Sequence, residues 1–591
     1  MKFFFSSFLL STIFSATLSI LLSCSPADPN GSQADEKKKF DVVIRIKEEP
    51  DNLNAVRYRT SSAILIKSHI YFTLTAVSPK TNDLIPVIAG SLPELSADGK
   101  SFNFTIRQEA VWDDGSPITG HDYAFTIRTI NNPLVNSPHF RQSFSSIADV
   151  LVDPTNPKKL TVVMDTIHFL GRFVAGDIEI LPEYVYDSNQ IMRNFAIPDL
   201  KSDPKKFEKD SLCIAFAEAF NSEKFGSEIV VGSGPYKFES WVRGQSVTLK
   251  KKEDWWGLKI NSDEREFQAN PEKLVFLLIK DNESAEAALA KQEIDVLYTI
   301  ASTQFEKLKK DPAFSKNYNF YAPETYIYGY IGMNNKPPAG RRKFFEDKRV
   351  RKAMAHLLDM DKVISDVLLG YGARTVGPVL PMRGPNEYNV NLRPVEYSLE
   401  KAIALMEEAG WKDSNGDGIR DKMIAGKRTE FTPELLLAPN REESEKLSLL
   451  FRQACEKAGV KININVQDVA VQRDMYLNHN FDMYISGFVQ FPMPSDFKQL
   501  WHSSSWYNQG TNFWGFGSTE SDSLIEQIRV TMSPEERKPM VYRFQEIVYD
   551  EQPVIFTYVT KEKIIINKKF DKPVTDAFRP GFHPQEWNLV K

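Results

Sequence analysis

The sequence predicts an α/β protein with mixed sheets, because strand and helix periodicities alternate along one chain. An apolar strand at 435–437, a helix with one apolar face at 442–458 and an alternating strand at 462–466 follow one another. This order and spacing predict a parallel strand pair with a right-handed crossover. Residues 102–106 alternate as another strand, and 348–369 carry apolar residues at the spacing of an amphipathic helix. Together these elements indicate the α/β class.

Local signals predict the remaining elements in chain order. A first strand covers Asp41–Ile46, and a helix follows the turn that contains Thr119. The tight turn at 232–238 leads into a strand, and 247–250 is the returning strand of a hairpin. A later helix has Ser398 as its N-cap. No internal repeat of fixed period is present, so the sequence does not predict a repeat architecture.

The stretch 481–501 has a distinct pattern. Phe481, Met483 and Ile485 alternate with polar or amphipathic residues, which predicts a strand with one buried face. The alternation breaks at Gly487, and the loop 491–494 contains two prolines, which cannot donate hydrogen bonds within a sheet. Backbone groups left free at such a strand end can take an extended ligand by strand addition. The alternative is a buried strand that runs into a structural loop.

Composition limits the class of protein. With 591 residues the chain is too long for one core, and about 150 residues per domain suggests three or four domains or subdomains. Charged residues make up 26% and hydrophobic residues 42%, as in ordinary globular proteins. The net charge of -5 gives no basic excess, so nucleic acid is not an expected partner. Aromatic residues reach 12%, which suits apolar clefts and large cores equally.

The N-terminus has the pattern of an export signal. Lys2 precedes an apolar run that ends at Leu22, Ser23 and Cys24. This ending resembles the lipobox of bacterial lipoproteins, which implies that 1–23 is a cleaved signal peptide and that Cys24 carries lipid. The alternative is an uncleaved anchor, since about 20 apolar residues can span a bilayer. The polar stretch 24–39 is predicted to be a flexible tether.

Two further cysteines, Cys213 and Cys455, lie far apart in the sequence. Export would permit a disulfide, but two cysteines at this separation do not form a disulfide framework. Cys455 borders the apolar face of the helix at 442–458, which predicts a buried thiol.

Several motifs in one order resemble the large extracytoplasmic solute-binding proteins of peptide-type ABC importers, the oligopeptide/dipeptide/nickel-binding family. The motifs are spread along almost the whole chain after the signal. They lie at 49–54, 95–125, 232–256, 294–296, 335–361, 481–487 and 512–525. No single motif is decisive, but the ordered set is specific to the family.

The resemblance implies a two-lobed periplasmic-binding-protein fold (type II, cluster C) with an extra subdomain in the first lobe. By this likeness, 40–295 and 540–591 form the first lobe, with the subdomain at about 75–190, and 296–539 form the second. It also implies a monomeric receptor that captures peptide between its lobes and delivers it to an ABC permease and ATPase. The alternatives are a receptor for another solute, such as a glycan, metal chelate or signal, and a surface adhesin or sensor without transport.

The resemblance further implies where the ligand binds. Peptide binders of the family hold the ligand backbone by strand-like hydrogen bonds beside a Gly-Trp step, which reads Gly487-Phe488 here. Many of them place an Asp soon after this step to pair with the peptide α-amine, but Phe491 stands at that position. Asp496 either replaces it or is a solvated loop residue. The predicted ligand-binding residues are Tyr71, Ser486, Gly487, Phe488, Val489, Gln490, Phe491 and Asp496.

A partial calcium motif occurs at 413–421. Asp413, Asn415, Asp417 and Asp421 place oxygen atoms around glycines, as Ca²⁺ requires, but Ile424 stands where an EF-hand has Glu. A weak structural Ca²⁺ site and a metal-free turn remain open, and no other cofactor is predicted.

The sequence does not indicate an enzyme. It contains no H-E-x-x-H, no G-x-S-x-G and no complete P-loop. The expected location is outside the cytoplasm, on the periplasmic or cell-surface face, with the lipid as the membrane attachment.

Overall fold

The computed structural model describes residues 40–507 and 510–591, which fold around two large β-sheets. The predicted signal peptide, Cys24 and the tether lie outside the described residues. The strands are β1 Asp41–Ile46, β2 Thr75–Val77, β3 Leu84–Pro86, β4 Glu94–Leu95, β5 Ser101–Thr105, β6 Ile147–Val152, β7 Lys159–Met164, β8 Tyr236–Val242, β9 Ser246–Lys251, β10 Lys273–Leu278, β11 Val296–Tyr298, β12 Tyr318–Tyr321, β13 Glu324–Met333, β14 Gly372–Arg374, β15 Asp421–Ile424, β16 Lys427–Glu430, β17 Glu434–Leu437, β18 Asn463–Val466, β19 Met483–Val489, β20 Val554–Lys561 and β21 Ile564–Asn567. The helices are α1 Ser61–Lys67, α2 Gly120–Asn131, α3 Pro138–Ser143, α4 Gly171–Gly176, α5 Glu183–Tyr186, α6 Ile197–Ser202, α7 Pro204–Phe207, α8 Ser211–Asn221, α9 Asn282–Ala290, α10 Ser302–Lys310, α11 Pro312–Ser315, α12 Lys348–His356, α13 Met360–Lys362, α14 Leu399–Glu408, α15 Glu442–Lys457, α16 Val469–Leu477, α17 Lys498–Trp501, α18 Thr519–Val530 and α19 Pro534–Glu551.

Each large sheet organises one lobe. The first sheet has the order β12-β21-β11-β1-β10-β9-β8, and the second has the order β14-β20-β13-β19-β17-β18. Both contain parallel and antiparallel pairs, so the prediction of mixed sheets is confirmed. Separate clusters of buried apolar side chains pack on the two sheets. A third sheet, β4-β5-β7-β6, packs with the core of the first lobe.

The chain passes between the two large sheets at 322–323 and at 562–563. These crossings differ from the lobe boundaries predicted at 295 and 540. Strand β11 stays in the first sheet because it pairs in parallel with β1, and β20 joins the second sheet by pairing with β13. Partners distant in sequence decide the sheet to which each strand belongs, and no local pattern reveals them.

The predicted strand–helix–strand unit is present as β17, α15 and β18. The two strands are parallel, with Leu435 opposite Ile464. The buried thiol predicted at Cys455 is confirmed, because α15 turns this residue into the core. The predicted hairpin is formed by β8 and β9, and Ser398 caps α14 by accepting the N–H of Lys401.

The single helix predicted over 348–369 is broken into two. Helix α12 ends at His356, and Asp359 then caps α13 by accepting the N–H of Lys362 at 3.0 Å. The apolar pattern continues at helical spacing, but Asp359 interrupts the helix. Its side chain competes for backbone hydrogen-bonding groups, so the first helix ends and a second begins.

The prediction of one buried face for the strand at 481–485 is wrong. Asp482 and Tyr484 are buried together with Phe481 and Met483. Burial of the Asp482 carboxylate is compensated by the Glu434 N–H at 3.0 Å and by two arginines beside it. The strand continues through Gly487 to Val489 and ends before the loop that contains the two prolines.

His69 is a buried histidine of the first lobe and is expected to make this lobe sensitive to acid. It lies between the rings of Tyr236 and Phe276, and its Nε2 has no hydrogen-bond partner among the described residues. Burial lowers the pKa of His69 to about 3, with smaller contributions from His583 and Arg265. Because the unfolded chain takes up this proton near pH 6.5, protonation favours unfolding as the pH falls.

We therefore expect His69→Phe to resist acid better than the wild type. Phenylalanine fits among the rings and removes the titrating group. The stabilisation of the variant over the wild type, as a free energy of unfolding, should therefore be roughly 2–3 kcal/mol larger at pH 4 than at pH 7. The test is to measure the melting temperatures of the variant and the wild type at several pH values from 4 to 7. Parallel melting curves for variant and wild type would contradict this role of His69.

Candidate functional site

Strand β19 has an open edge in the second lobe. Its last pair with β17 joins Tyr484 to Leu436, yet the strand continues to Val489. On its other side it remains paired with β13 up to Val489 opposite Ile327. From Ser486 onward the side that faces away from β13 is therefore open.

The backbone groups of Gly487 and Val489 face this open edge. The Gln490 N–H bonds the Tyr326 carbonyl at 2.7 Å, and the Asn334 N–H bonds the Asp482 carbonyl at 2.9 Å. Even-numbered residues of β19 thus bond β13, and in an antiparallel pair the intervening residues point the other way. Neither Gly487 nor Val489 bonds another described residue on that side.

The loop after β19 is firmly held. The buried Gln490 side chain donates to the Pro378 carbonyl at 2.6 Å. Arg383 donates to the carbonyl groups of Phe491, Pro492 and Met493. Its guanidinium also lies over the Tyr326 ring, 4.9 Å from the centroid. The predicted exit from the sheet at the prolines is confirmed, and the loop is a fixed wall beside the open edge.

Phe491 projects from this loop toward the first lobe. Its side chain is 67% exposed. The ring of Phe173, on α4 of the first lobe, lies 6.0 Å from the Phe491 ring, tilted by 56°. Two aromatic rings from different lobes therefore meet where the open edge ends.

Asp496 belongs to an ion cluster that joins the lobes. One carboxylate oxygen lies 3.1 Å from Arg529 Nε and 3.1 Å from Nε2 of His168 in the first lobe. Burial works to raise the pKa of this carboxyl, but the His168 hydrogen bond and the Arg529 charge outweigh it and lower the pKa to about 2. The interpretation as a solvated loop residue is wrong, since the side chain is 27% exposed and fully engaged.

His168 is also fixed by its own backbone. Its Nδ1 accepts the Leu170 N–H at 3.0 Å, so Nε2 carries the proton that is donated to Asp496. The next residue, Phe169, donates its N–H to the Arg529 carbonyl at 2.9 Å, and Arg537 lies over the Phe169 ring. His168, Phe169, Asp496 and Arg529 are called the interlobe cluster below.

The structure does not bring all the predicted ligand-binding residues together. Tyr71 is 2% exposed, with its hydroxyl 3.2 Å from that of Tyr186, because its ring fills the core of the first lobe. Phe488 packs against Tyr328 within the second lobe. Ser486, Gly487, Val489, Gln490 and Phe491 do form the strand end and its loop.

Comparison with known proteins places the chain in a family. The profile described as bacterial extracellular solute-binding proteins, family 5 Middle, matches residues 83–510. The chain belongs to this family. It is 24% identical over 590 residues to the oligopeptide-binding protein AppA of Bacillus subtilis, covering 97% of each chain.

Solved structures show the fold of this family 5 protein. The structure of Bacillus subtilis AppA in complex with a nonapeptide matches with a TM-score of 0.72 and 22% identity, over 93% of this chain and 99% of that one. NikZ from Campylobacter jejuni in complex with Ni(L-His) matches with a TM-score of 0.72 and 21% identity, over the same shares. The two-lobed periplasmic-binding-protein fold is therefore confirmed.

A second contact ties the lobes of this family 5 protein near the crossings. The Glu562 N–H donates to the Pro323 carbonyl at 2.9 Å, which joins the two crossing segments. Glu443 of α15 accepts the N–H and the hydroxyl of Ser302 at 3.0 and 2.6 Å, and lies 3.1 Å from Lys563 Nζ. Helix α10 has no side-chain cap of its own, so the second lobe supplies one.

Several of these residues escaped the sequence reasoning. His168, Phe173, Arg383 and Arg529 lie outside the matched motifs, and their partners are distant in sequence. No local pattern identifies them.

The candidate calcium residues are engaged by protein groups. Asp413 accepts two backbone N–H groups of its own turn, and Asn415 donates to Asp417. Arg428 lies 3.1 Å from Asp421 and 3.8 Å from Asp417. Within 40–507 and 510–591, no three His, Cys, Asp or Glu side chains gather as a metal site.

Among the residues that the structure describes, no helix combines the length and apolarity needed to cross a bilayer.

Proposed function

We propose that this protein captures peptides between its two lobes and delivers them to an ABC permease, without chemistry on the ligand. The open edge of β19 carries this proposal. Gly487 and Val489 present N–H and carbonyl groups in the spacing of a strand, and an extended peptide satisfies them by pairing. A relative matching almost the full length is an oligopeptide-binding protein, which supports the same ligand class.

The proposal includes closure of the lobes around the ligand. The crossings at 322–323 and 562–563 are short and lie side by side, as a hinge requires. The interlobe cluster joins the lobes when they are together. A ligand that touches both lobes favours this state because it binds the closed form better than the open form.

A receptor for a non-peptide solute is the second candidate. Its support is that a structure of equal TM-score holds Ni(L-His), and that Phe491 replaces the carboxylate expected for a peptide amine.

Native mass spectrometry of residues 40–591, purified gently from cells, tests these candidates. These residues form one compact unit, so they suit the experiment. A series of peptide masses is the expected result. A single non-peptide mass would favour the second candidate, and an empty protein whose melting is unaffected by peptide mixtures would contradict peptide capture.

The proposal also places the protein on the membrane as a monomer held by lipid on Cys24. The lipobox-like ending of the signal supports this. Labelled palmitate is expected to be incorporated into the full chain and not into the Cys24→Ala variant.

The loop at 413–421 is proposed to be a metal-free turn. Added Ca²⁺ is expected to leave the melting temperature unchanged, whereas a calcium site would raise it.

A further inference from the structure

Resting on the proposed function, we infer that Phe491 and Phe173 form an apolar subsite for an uncharged apolar group of the bound peptide. That group is an apolar side chain or a blocked terminus. The subsite determines specificity, because it lies at the end of the β19 edge that β17 leaves uncovered.

The direction of the ligand follows from the sheet. Strand β17 occupies the same side of β19 up to Tyr484, so a segment added beside Gly487 cannot extend that way. It must continue past Val489. Since Phe491 follows two residues later and is two-thirds exposed, the segment next meets its ring.

The two rings are suited to an apolar group. They come from opposite lobes, and their centroids lie 6.0 Å apart, so an apolar group placed beside the pair contacts both lobes at once. Phe173 is half-buried, whereas Phe491 has most of its surface available. Covering this surface is favourable in proportion to the apolar area removed from water.

Charged side chains that contact this loop are bonded within the protein. Arg383 is bonded to three loop carbonyls, Asp496 is bonded to His168 and Arg529, and Glu387 accepts the Ser495 N–H at 3.4 Å. A ligand ammonium placed beside Phe491 would lose water next to the Arg383 guanidinium, which is unfavourable. The loop therefore discriminates against a positive charge at this point.

A peptide pool tests the inference. Residues 40–591 are incubated with synthetic random-sequence peptides, one half acetylated at the N-terminus, and the bound fraction is identified by mass spectrometry. The wild type is expected to enrich peptides with an uncharged apolar group by about tenfold, which corresponds to about 1.4 kcal/mol. Enrichment of acetylated peptides indicates a blocked terminus, and enrichment of apolar residues at one position indicates a side chain.

Phe491→Ala is expected to abolish the enrichment while peptides still bind. The variant should fold, because the side chain is exposed and Arg383 holds the loop through backbone carbonyls. Met423→Ala, which alters a side chain of similar exposure on β15, is the matched control and should keep the wild-type enrichment.

Phe173→Ala should reduce the enrichment in the same way, and the double variant should lose little more than either single variant, since the rings act together. Phe491→Asp should reverse the preference toward free amines. Unchanged enrichment in Phe491→Ala, or equal binding of charged and apolar peptides by the wild type, would overturn the subsite and leave peptide capture standing. A wild type that binds no peptide would overturn both.

Discussion

Val489→Pro is expected to lower the affinity for peptide by about fivefold or more without unfolding the second lobe. Proline removes the one N–H of Val489, which faces the open edge rather than β13. Outward-facing edge positions accept proline because no sheet hydrogen bond is lost there. In the complex, a ligand carbonyl is left without its donor, which costs about 1–3 kcal/mol, or roughly 5- to 150-fold in affinity.

Val489→Ala is the control for this substitution. It removes the exposed side chain and keeps the N–H, so its peptide affinity should stay within a few-fold of the wild type. Isothermal titration with a peptide identified from the native protein measures both variants. Equal affinities for Val489→Pro and Val489→Ala would show that the ligand does not pair with this edge.

The local elements of this chain were accessible to sequence reasoning because their signals are local. The alternation in β5, the apolar face of α15 and the cap at Ser398 each lie within a few residues. The exit from the sheet at 491–494 was identified in the same way, from an alternation that stops and from two prolines. Strand β19 ends just before this loop, at Val489.

The contacts that turn this strand end into a site could not be predicted in this way. His168 and Asp496 are 328 residues apart, and Arg383 reaches carbonyl groups more than 100 residues away. Tyr71 shows the opposite error, since this aromatic residue was predicted to bind the ligand and instead fills a core. Aromatic residues serve both purposes, and only the packing decides between them.

The site and the closure of the lobes are physically linked. The open edge and Phe491 belong to the second lobe, whereas Phe173 and His168 come from the first. The loop that carries Phe491 also leads directly into Asp496. We therefore expect contacts of the interlobe cluster to hold both walls of the proposed site together, and a change in the cluster to alter the fraction of protein that is ready to bind.

Asp496→Ala is expected to weaken peptide binding about tenfold or more and to lower the melting temperature. The substitution leaves Arg529 and His168 without their shared acceptor, and breaking a well-buried pair costs about 3–5 kcal/mol. Because Asp496 is 27% exposed, we expect about 1–3 kcal/mol here. Asp550→Ala removes an exposed partner of Lys348 and Lys352 and should cost at most about 1 kcal/mol, so it is the control.

The variant His168→Ala distinguishes an effect of the cluster on lobe closure from an effect on the stability of the second lobe. This variant keeps the Asp496–Arg529 pair, which lies entirely in that lobe. It loses the His168 bond to Asp496 between the lobes and the bond from the Leu170 N–H to His168 within the first lobe. Its melting temperature should change less than that of Asp496→Ala, while its peptide affinity falls with the closed fraction. Small-angle scattering of the ligand-free protein should show a larger radius of gyration than the wild type. If His168→Ala keeps both the radius and the affinity, the cluster stabilises the second lobe alone, and closure depends on the ligand and on the contacts near the crossings.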